Sequence, residues 1–309
     1  MSRIHEALKK AAQERNAQGG ANSNAGVDVF AEGLAGGFLS DNRTPAEGLA
    51  ASDGDENAAL LRFQQYVKNC PRPAWKIDAN GSVFCADSLA PSAAERFRTL
   101  RSRLYQLAAA QPLRRLLVTS SLPAEGKTFI AAKLAQSFVR QPNRRVLLID
   151  ADLRAARLHL SLGAPTTPGL TEYLRGEADE SRVIQVGPEG NLCLIAGGGR
   201  VSNPSEILHS ERMRRLLDNV SQNFDWVILD SPPALAVYDA SILADMCDGV
   251  LFVVRAGATD STLAERAVSE FRQKNLLGVV LNRVEESDTY GEYYYDYPNE
   301  KATAIATSS

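Results

Sequence analysis

The most informative segment of the sequence is LLVTSSLPAEGKT, residues 116–128, in which an apolar run leads into a turn-rich loop and then into a helical pattern. A strand, a loop ending in Gly-Lys-Thr and a helix are the context that a phosphate-binding loop requires. Gly126 lets the backbone approach phosphates, Lys127 can reach the β- and γ-phosphates, and Thr128 can ligate Mg²⁺. Ser121 stands where the common GxxxxGK[ST] pattern has its first glycine, so the match is partial. The stretch predicts a nucleotide site.

Apolar runs alternate with helical patterns from about residue 88, as is typical of α/β domains. The runs are almost continuously apolar, which indicates strands buried on both faces of a mostly parallel sheet. The predicted strands are Leu116–Thr119, Val146–Ile149, Leu192–Ile195, Trp226–Leu229, Val250–Val254 and Leu277–Leu281. The predicted helices are Lys127–Arg140, Glu211–Gln222, Asp239–Asp245 and Ser261–Lys274. We therefore expect an α/β P-loop NTPase fold, with a mostly parallel central sheet flanked by helices.

Two further predicted strands end in acids. RVLLIDADLR, residues 145–154, places Asp150 and Asp152 after one strand, and WVILDSPP, residues 226–233, places Asp230 after another. Ligands collect at the carboxyl ends of strands in open α/β sheets, and a phosphate-bound Mg²⁺ needs hard carboxylate oxygens there. Each acid alone could equally cap a helix. Three of them beside the loop indicate a magnesium–nucleotide site.

Composition excludes several classes of protein. The 309 residues carry 34 Lys and Arg against 37 Asp and Glu, so the net charge of −3 gives no reason to expect a nucleic-acid partner or a polybasic membrane binder. The four cysteines lie far apart, without zinc-ligand spacing. We expect no membrane span and no signal peptide, because no apolar run reaches about 18 residues. These features predict a cytoplasmic protein with reduced thiols.

The segments on either side of the predicted domain, residues 87–285, differ from it in amino-acid composition. Residues 1–15 fit a short amphipathic helix or a frayed terminus. Residues 16–86 are predicted to be a disordered, flexible linker, because the sequence from Asn16 to about Asn57 is rich in Gly, Ala, Asn and Ser. Leu60–Val67 is a candidate recognition helix within it. Residues 286–309 form an acidic tail that contains the run YGEYYYDYP. Five tyrosines among acids cannot be explained as core packing, although they could form a partner-binding motif.

In this order and spacing, the loop and the two acidic strand ends resemble the Walker A, A′ and B motifs of the bacterial tyrosine autokinases of capsular and exopolysaccharide systems. The resemblance covers roughly Leu89–Tyr297. It implies a protein-tyrosine kinase that uses ATP and Mg²⁺, phosphorylates its own tail in trans, and regulates polysaccharide polymerisation and export. The implied phosphorylation sites are Tyr290, Tyr293, Tyr294, Tyr295 and Tyr297.

The resemblance also implies roles for the site residues. Lys127 would stabilise the transferring phosphoryl group, Asp150 would act as base or orienting group, and Asp152 and Asp230 would hold the metal together with Thr128. The implied ATP-binding residues are Ser121, Ala124, Glu125, Gly126, Lys127, Thr128, Phe129, Asn282 and Arg283. The last two match the place where relatives contact adenine, although an Asn-Arg pair also suits a plain strand end. Arg154 is expected to support phosphate geometry or to pair with a nearby acid.

The segment AERFRTLRSRL, residues 94–104, matches the family's ExxRxxR oligomer motif through Glu95, Arg98 and Arg101. The alternative is a solvated charged helix. The implied partners are further copies of the chain in a ring, a separate membrane-embedded chain-length regulator as activator, and a cognate tyrosine phosphatase. The implied location is the cytoplasm, peripheral to the inner face of the plasma membrane.

Two other functions stay open from the sequence. A partitioning or cell-division type switch ATPase shares the deviant loop, but such proteins usually carry a second lysine early in it, and Ser120, Ser121 and Leu122 offer none. A nucleotide-dependent scaffold without kinase activity is the other alternative. Substitution of Lys127 separates the kinase from the scaffold, because only a kinase would lose phosphotyrosine.

Overall fold

The computed structural model describes residues 25–30, 53–76 and 91–285. In these ranges the strands are β1 (Ala25–Phe30), β2 (Arg115–Ser120), β3 (Val146–Asp150), β4 (Ile184–Val186), β5 (Leu192–Ile195), β6 (Trp226–Asp230), β7 (Gly249–Arg255) and β8 (Leu276–Glu285). They form one sheet in the order β1-β8-β7-β2-β6-β3-β5-β4. The six inner strands are parallel, and the edge strands β1 and β4 are antiparallel to their neighbours. All six predicted strands are present.

Helices cover both faces of this sheet. They are α1 (Asp53–Tyr66), α2 (Pro91–Ala110), α3 (Lys127–Val139), α4 (Leu158–Leu162), α5 (Leu170–Leu174), α6 (Glu180–Val183), α7 (Pro204–Leu208), α8 (Glu211–Asn223), α9 (Asp239–Ala244) and α10 (Ser261–Ser269). The four predicted helices correspond to α3, α8, α9 and α10. None of the helices in the described ranges is long and apolar enough to cross a membrane.

The inner strands are buried on both faces. Leu117 and Leu147 point into one core, which α1, α8, α9 and α10 cover, whereas Leu116 and Leu148 point into the other, beneath α2, α3 and α4. All four side chains are fully buried, and each such burial favours the folded state by about 1.5–3 kcal/mol. Burial on both faces explains why these strands are apolar at every position. It also makes the sheet rigid at the edge where the strand-end acids lie.

The segment before α2 differs from the flexible linker predicted over 16–86. It contains β1 and α1, and an extended piece follows α1. Residues 59–76, which we call the strap, lie along the domain. Phe63, Val67 and Cys70 are buried at helical spacing, and Phe63 meets Phe224 of α8 edge-on at 5.3 Å. The helix was a candidate from the sequence, but its packing against the domain was not predicted. The candidate helix at Leu60–Val67 falls within and just after α1, whereas the 1–15 helix and the 286–309 tail lie outside the described residues.

Backbone hydrogen bonds fix the end of the strap. The Val186 amide of β4 donates to the Pro71 carbonyl over 2.9 Å, and the Lys76 amide donates to the carbonyl of Gly163, directly after α4, over 3.0 Å. Trp75 is buried between these points, against Gly187. The strap therefore shields the outer strand of the sheet and reaches the helix next to the strand-end acids.

Candidate active site

The loop between β2 and α3 is shaped by two residues in the left-handed region. Gly126 has a φ of 99° and Ala124 a φ of 65°. Glycine adopts this conformation without strain, whereas alanine does so at a cost of about 1–2 kcal/mol. The turn places Lys127 at the first position of α3, where the first-turn amides lack partners within the helix and suit an anion.

The predicted lysine and acids come together at this edge of the sheet. Asp150 and Asp230 are directly paired residues of the neighbouring strands β3 and β6. The Lys127 Nζ atom lies 2.9 Å from Asp152 Oδ2 and 3.8 Å from Asp230 Oδ1. The Thr128 hydroxyl donates to Asp230 Oδ2 over 2.6 Å. The loop and both acidic motifs therefore form one cluster.

Burial changes the acidity of this cluster. Burial, together with the charge of Asp230, raises the pKa of Asp150 to about 8. Burial also raises the pKa of Asp230 to about 6, against the opposing effect of Lys127. Burial disfavours the charge on Lys127, but Asp230 and Asp152 outweigh it and raise the pKa of the ammonium group. Lys127 is therefore held charged, whereas burial opposes ionisation of Asp150 and Asp230.

The cluster has chemistry that fits a cation. The Asp150 carboxylate accepts the Leu158 amide through Oδ2 over 2.9 Å, but its Oδ1 atom is buried without a hydrogen-bond partner, as is Asp230 Oδ1. In the described ranges no three acidic, histidine or cysteine side chains could hold a metal by themselves. The Thr128 hydroxyl, water and phosphate oxygens would have to complete the coordination, as is usual for Mg²⁺ at a phosphate site.

The loop is held from its other side by two distant segments. The buried Glu125 carboxylate accepts the Leu122 amide through Oε2 over 2.7 Å, and its Oε1 atom accepts the Thr259 hydroxyl. The Asn282 amide donates to the Glu125 carbonyl over 2.8 Å. Thr259 was not predicted, since it lies in the connection between β7 and α10 and carries no motif.

The remaining predicted nucleotide contacts lie around the same loop. Ser121 is fully buried, with no hydrogen-bond partner for its hydroxyl. Phe129 is part-buried on α3 and meets Phe97 of α2 edge-on at 6.2 Å. Arg283 has a left-handed φ of 59°, and its amide donates to Asn282 Oδ1 over 3.0 Å. Ser121 and Phe129 therefore lie in or directly beside the phosphate loop, and Arg283 contacts Asn282, which lies next to that loop.

Of the two roles expected for Arg154, the structure shows pairing with an acid. Its Nε atom donates to Asp239 Oδ2 over 2.8 Å, and a second nitrogen contacts the Ser205 hydroxyl at 3.0 Å. Asp239 is fully buried and also accepts the Ser205 hydroxyl over 2.5 Å. No motif in the sequence marks Asp239 or Ser205 as a partner of Arg154. The contacts tie the connection after β3 to the starts of α7 and α9.

The three charges of the ExxRxxR segment point in different directions on α2. Glu95 and Arg98 are about 60% exposed and pair with each other at 2.6 Å. Arg101 instead donates to the Ser137 carbonyl of α3 over 2.5 Å. The five tail tyrosines lie outside the described residues. The structure thus leaves Glu95 and Arg98 accessible and uses Arg101 within the chain.

Comparisons with known proteins agree with this geometry. Residues 118–305 match the family described as the CobQ/CobB/MinD/ParA nucleotide binding domain. The tyrosine-protein kinase YwqD of Bacillus subtilis (strain 168) is 34% identical over 203 residues, which are 64% of this chain and 85% of that protein. The tyrosine-protein kinase etk of Escherichia coli (strain K12) is 35% identical over 226 residues, 72% of this chain but 31% of that protein.

A solved structure shows the same relationship. The kinase domain of Escherichia coli tyrosine kinase ETK is 32% identical, with a TM-score of 0.61, and the match covers 72% of this chain and 84% of that domain. The family match spans more than half of the chain, and the YwqD match covers most of that relative. The chain therefore belongs to the CobQ/CobB/MinD/ParA nucleotide-binding family and, within it, to the bacterial protein-tyrosine kinases.

Proposed function

We propose that this kinase is an autokinase: it transfers the γ-phosphoryl group of ATP to the tyrosine cluster of its own tail, in trans between subunits. The observation that carries the proposal is the cluster in which Lys127 meets Asp152 and Asp230 beside the phosphate loop. The proposal is further supported by the sequence of the tail, in which five tyrosines stand beside acids and without aliphatic residues over positions 290–297.

Lys127 is the proposed phosphate-binding cation. It is held by two carboxylates, so it is charged and already aimed at the carboxyl edge of the sheet. In the complex, its ammonium group would exchange these contacts for the transferring phosphoryl group, where positive charge stabilises the transition state. Thr128, Asp152 and Asp230 are the residues that would hold Mg²⁺, which when bound neutralises charge on the β- and γ-phosphates.

Asp150 is the proposed base or orienting group for the tyrosine hydroxyl. A phenol has a pKa near 10, so proton transfer to an ordinary carboxylate is strongly uphill. The pKa of about 8 brings Asp150 much closer to the phenol. The Leu158 amide fixes Oδ2, and the unpartnered Oδ1 atom is the one that could receive the proton.

Phosphorylation of the tail is proposed to reverse self-association. Each phosphate adds about −1.5 to −2 charges to a segment that is already acidic, so subunits that hold each other's tails would repel one another. A ring of unphosphorylated subunits, with Glu95 and Arg98 at its contacts, would then dissociate. A fully phosphorylated sample should therefore run smaller than a dephosphorylated one in size-exclusion chromatography.

We further propose that the cycle acts in capsule or exopolysaccharide polymerisation and export, in the cytoplasm at the inner face of the plasma membrane. A separate membrane-embedded chain-length regulator would activate the kinase, and a tyrosine phosphatase would reset the tail. Support comes from the resemblance to autokinases of those systems. The switch ATPase and the kinase-inactive scaffold are the functions that a negative result would favour.

A mixing experiment tests transfer in trans. A Lys127→Met chain with its tail intact is incubated with ATP and Mg²⁺ beside a chain that has an intact site but phenylalanine at all five tail tyrosines. We expect phosphotyrosine on the Lys127→Met chain only in the mixture. If wild type becomes phosphorylated alone but the mixture stays unmodified, transfer occurs within one chain, and the ring mechanism is wrong.

A further inference from the structure

The phosphate loop contains a buried negative charge whose purpose the transfer chemistry does not explain. Glu125 is only 2% exposed, although it lies in a loop that should receive anionic phosphates. A buried carboxylate is costly unless donors satisfy it, and two donors do so here: the Leu122 amide and the Thr259 hydroxyl. The first donor lies within the loop and the second outside it, so the carboxylate bridges the loop to the β7–α10 connection.

A second bridge joins the same residue to the end of β8. The side-chain amide of Asn282 donates to the Glu125 carbonyl over 2.8 Å, and its Oδ1 atom accepts the Arg283 amide. Its Nδ2 atom lies 2.0 Å from the position that a Cβ on Gly126 would occupy. Both ends of the Asn282 amide are therefore engaged, and the contact is possible because residue 126 is glycine.

These bridges act on a loop that holds a strained residue. Ala124 adopts a left-handed φ of 65° next to Glu125, a conformation that alanine leaves unless its surroundings enforce it. Lys127 and Thr128 are tied to the acids on the opposite side of the loop. The loop is thus fixed from both sides, and a pre-shaped loop loses less entropy when a ligand binds.

We propose that Glu125, Thr259 and Asn282 form a clamp that holds the loop in its phosphate-binding shape, which makes Thr259 and Asn282 positioning residues for the nucleotide. The inference rests on the proposed binding of ATP to this loop. It assigns Asn282 a role through the Glu125 carbonyl, distinct from the adenine contact that the resemblance implies. The clamp predicts that loss of either bridge weakens binding through the phosphates, irrespective of the base.

Thr259 provides the sharpest test. Thr259→Val keeps the shape but removes the donor to the carboxylate, so we expect affinity for a fluorescent ATP analogue with Mg²⁺ to fall about tenfold, the usual effect of losing a hydrogen bond to a charged group. Thr259→Ser should restore affinity to within about threefold of wild type. Thr262→Val, on the exposed side of α10, is the matched control and should bind as wild type does.

The steady-state constants separate positioning from general damage. In tyrosine phosphorylation by Thr259→Val, KM for ATP should rise more than kcat falls, and the serine variant should reverse the change. If Thr259→Val binds ATP as tightly as wild type, or if the serine variant is as weak as the valine variant, the clamp is wrong. If wild type itself fails to bind ATP, the proposed function is wrong and the clamp with it.

Asn282 tests whether the base is involved. Asn282→Ala is measured with ATP and with GTP as competitors of the fluorescent analogue. The clamp predicts that the affinities for both nucleotides fall by the same factor, since both carry the same triphosphate. A loss for ATP with GTP unchanged would assign Asn282 to the adenine ring and overturn its place in the clamp.

Discussion

Replacing Asp150 by asparagine should stabilise the nucleotide-free protein while it destroys catalysis. Asparagine has the same shape, and its side-chain oxygen can still accept the Leu158 amide, as Asp150 Oδ2 does at 2.9 Å. What the substitution removes is a buried charge near two other carboxylates. The free NH₂ group of the asparagine would take the place of the unpartnered Oδ1 atom of Asp150 and could donate to the two neighbouring carboxylates.

The size of the effect follows from the pKa. The pKa of Asp150 is raised from 3.8 to about 8, and each unit corresponds to about 1.4 kcal/mol, so ionising this group costs the fold at most about 6 kcal/mol. The attraction of Lys127 is already part of this shift, but the buried asparagine amide has a desolvation cost of its own, so we expect a gain of about 2–5 kcal/mol above pH 8. For a domain of this size, the melting temperature should then rise by at least about 5 °C.

The sign of the pH dependence is fixed by the direction of the shift. The folded protein binds the Asp150 proton more tightly than the unfolded chain does, so wild-type stability falls as pH rises from about 4 to about 8. The asparagine variant lacks this loss. Its advantage in melting temperature should therefore be small at pH 5 and largest above pH 8.

The assay is thermal unfolding of both proteins in EDTA, without nucleotide, between pH 5 and pH 9. Asp218→Asn is the matched control, because Asp218 is 62% exposed in its pair with Arg115. That control should change the melting temperature little at any pH. If Asp150→Asn melts below wild type at pH 8.5, or if its gain in melting temperature is the same at pH 5, the buried charge of Asp150 does not destabilise the fold.

Three further substitutions probe other parts of the account. Gly126→Ala forces a Cβ to within 2.0 Å of Asn282 Nδ2 at a φ of 99°, so nucleotide affinity, measured by fluorescence titration, should fall at least about tenfold. Phe63→Ala should lower the free energy of unfolding in urea by about 3–5 kcal/mol if the strap belongs to the folded domain. Arg154→Met leaves buried Asp239 without its cation and should cost about 2–3 kcal/mol in the same assay, whereas Arg98→Met should cost under about 1 kcal/mol.

The centre of the fold could be predicted because its physical signals are local. Strands β3 and β6 are buried on both faces, which forces an uninterrupted apolar run, and each run ends in an acid that parallel pairing must bring to the same edge. The loop before α3 carries its own motif. Those local signals were enough to predict the sheet and the cluster around Lys127.

The contacts that escaped prediction join residues that are far apart in sequence. Thr259 reaches Glu125 across 134 positions, and Asp239 reaches Arg154 across 85, and neither has a neighbouring pattern that marks it. Elements with few residues were missed for a related reason: β4 has only three residues, too few to show a period. The strap was predicted only as the isolated helix Leu60–Val67, and its packing against the domain was missed because the preceding residues 16–57 are rich in Gly, Ala, Asn and Ser.

Autophosphorylation of the tail can be measured by intact-mass and phosphotyrosine analysis of the purified protein after incubation with ATP and Mg²⁺. Lys127→Met is the inactive variant, and Lys274→Met, at a part-buried lysine that pairs with Asp245 and has no contact with the strand-end acids, is the matched control. We predict phosphate additions within residues 290–297 for wild type and Lys274→Met, and none for Lys127→Met. ATP that is bound or hydrolysed by wild type without any tyrosine modification, even when the cytoplasmic part of the cognate membrane regulator is added, would contradict the account and favour a switch ATPase.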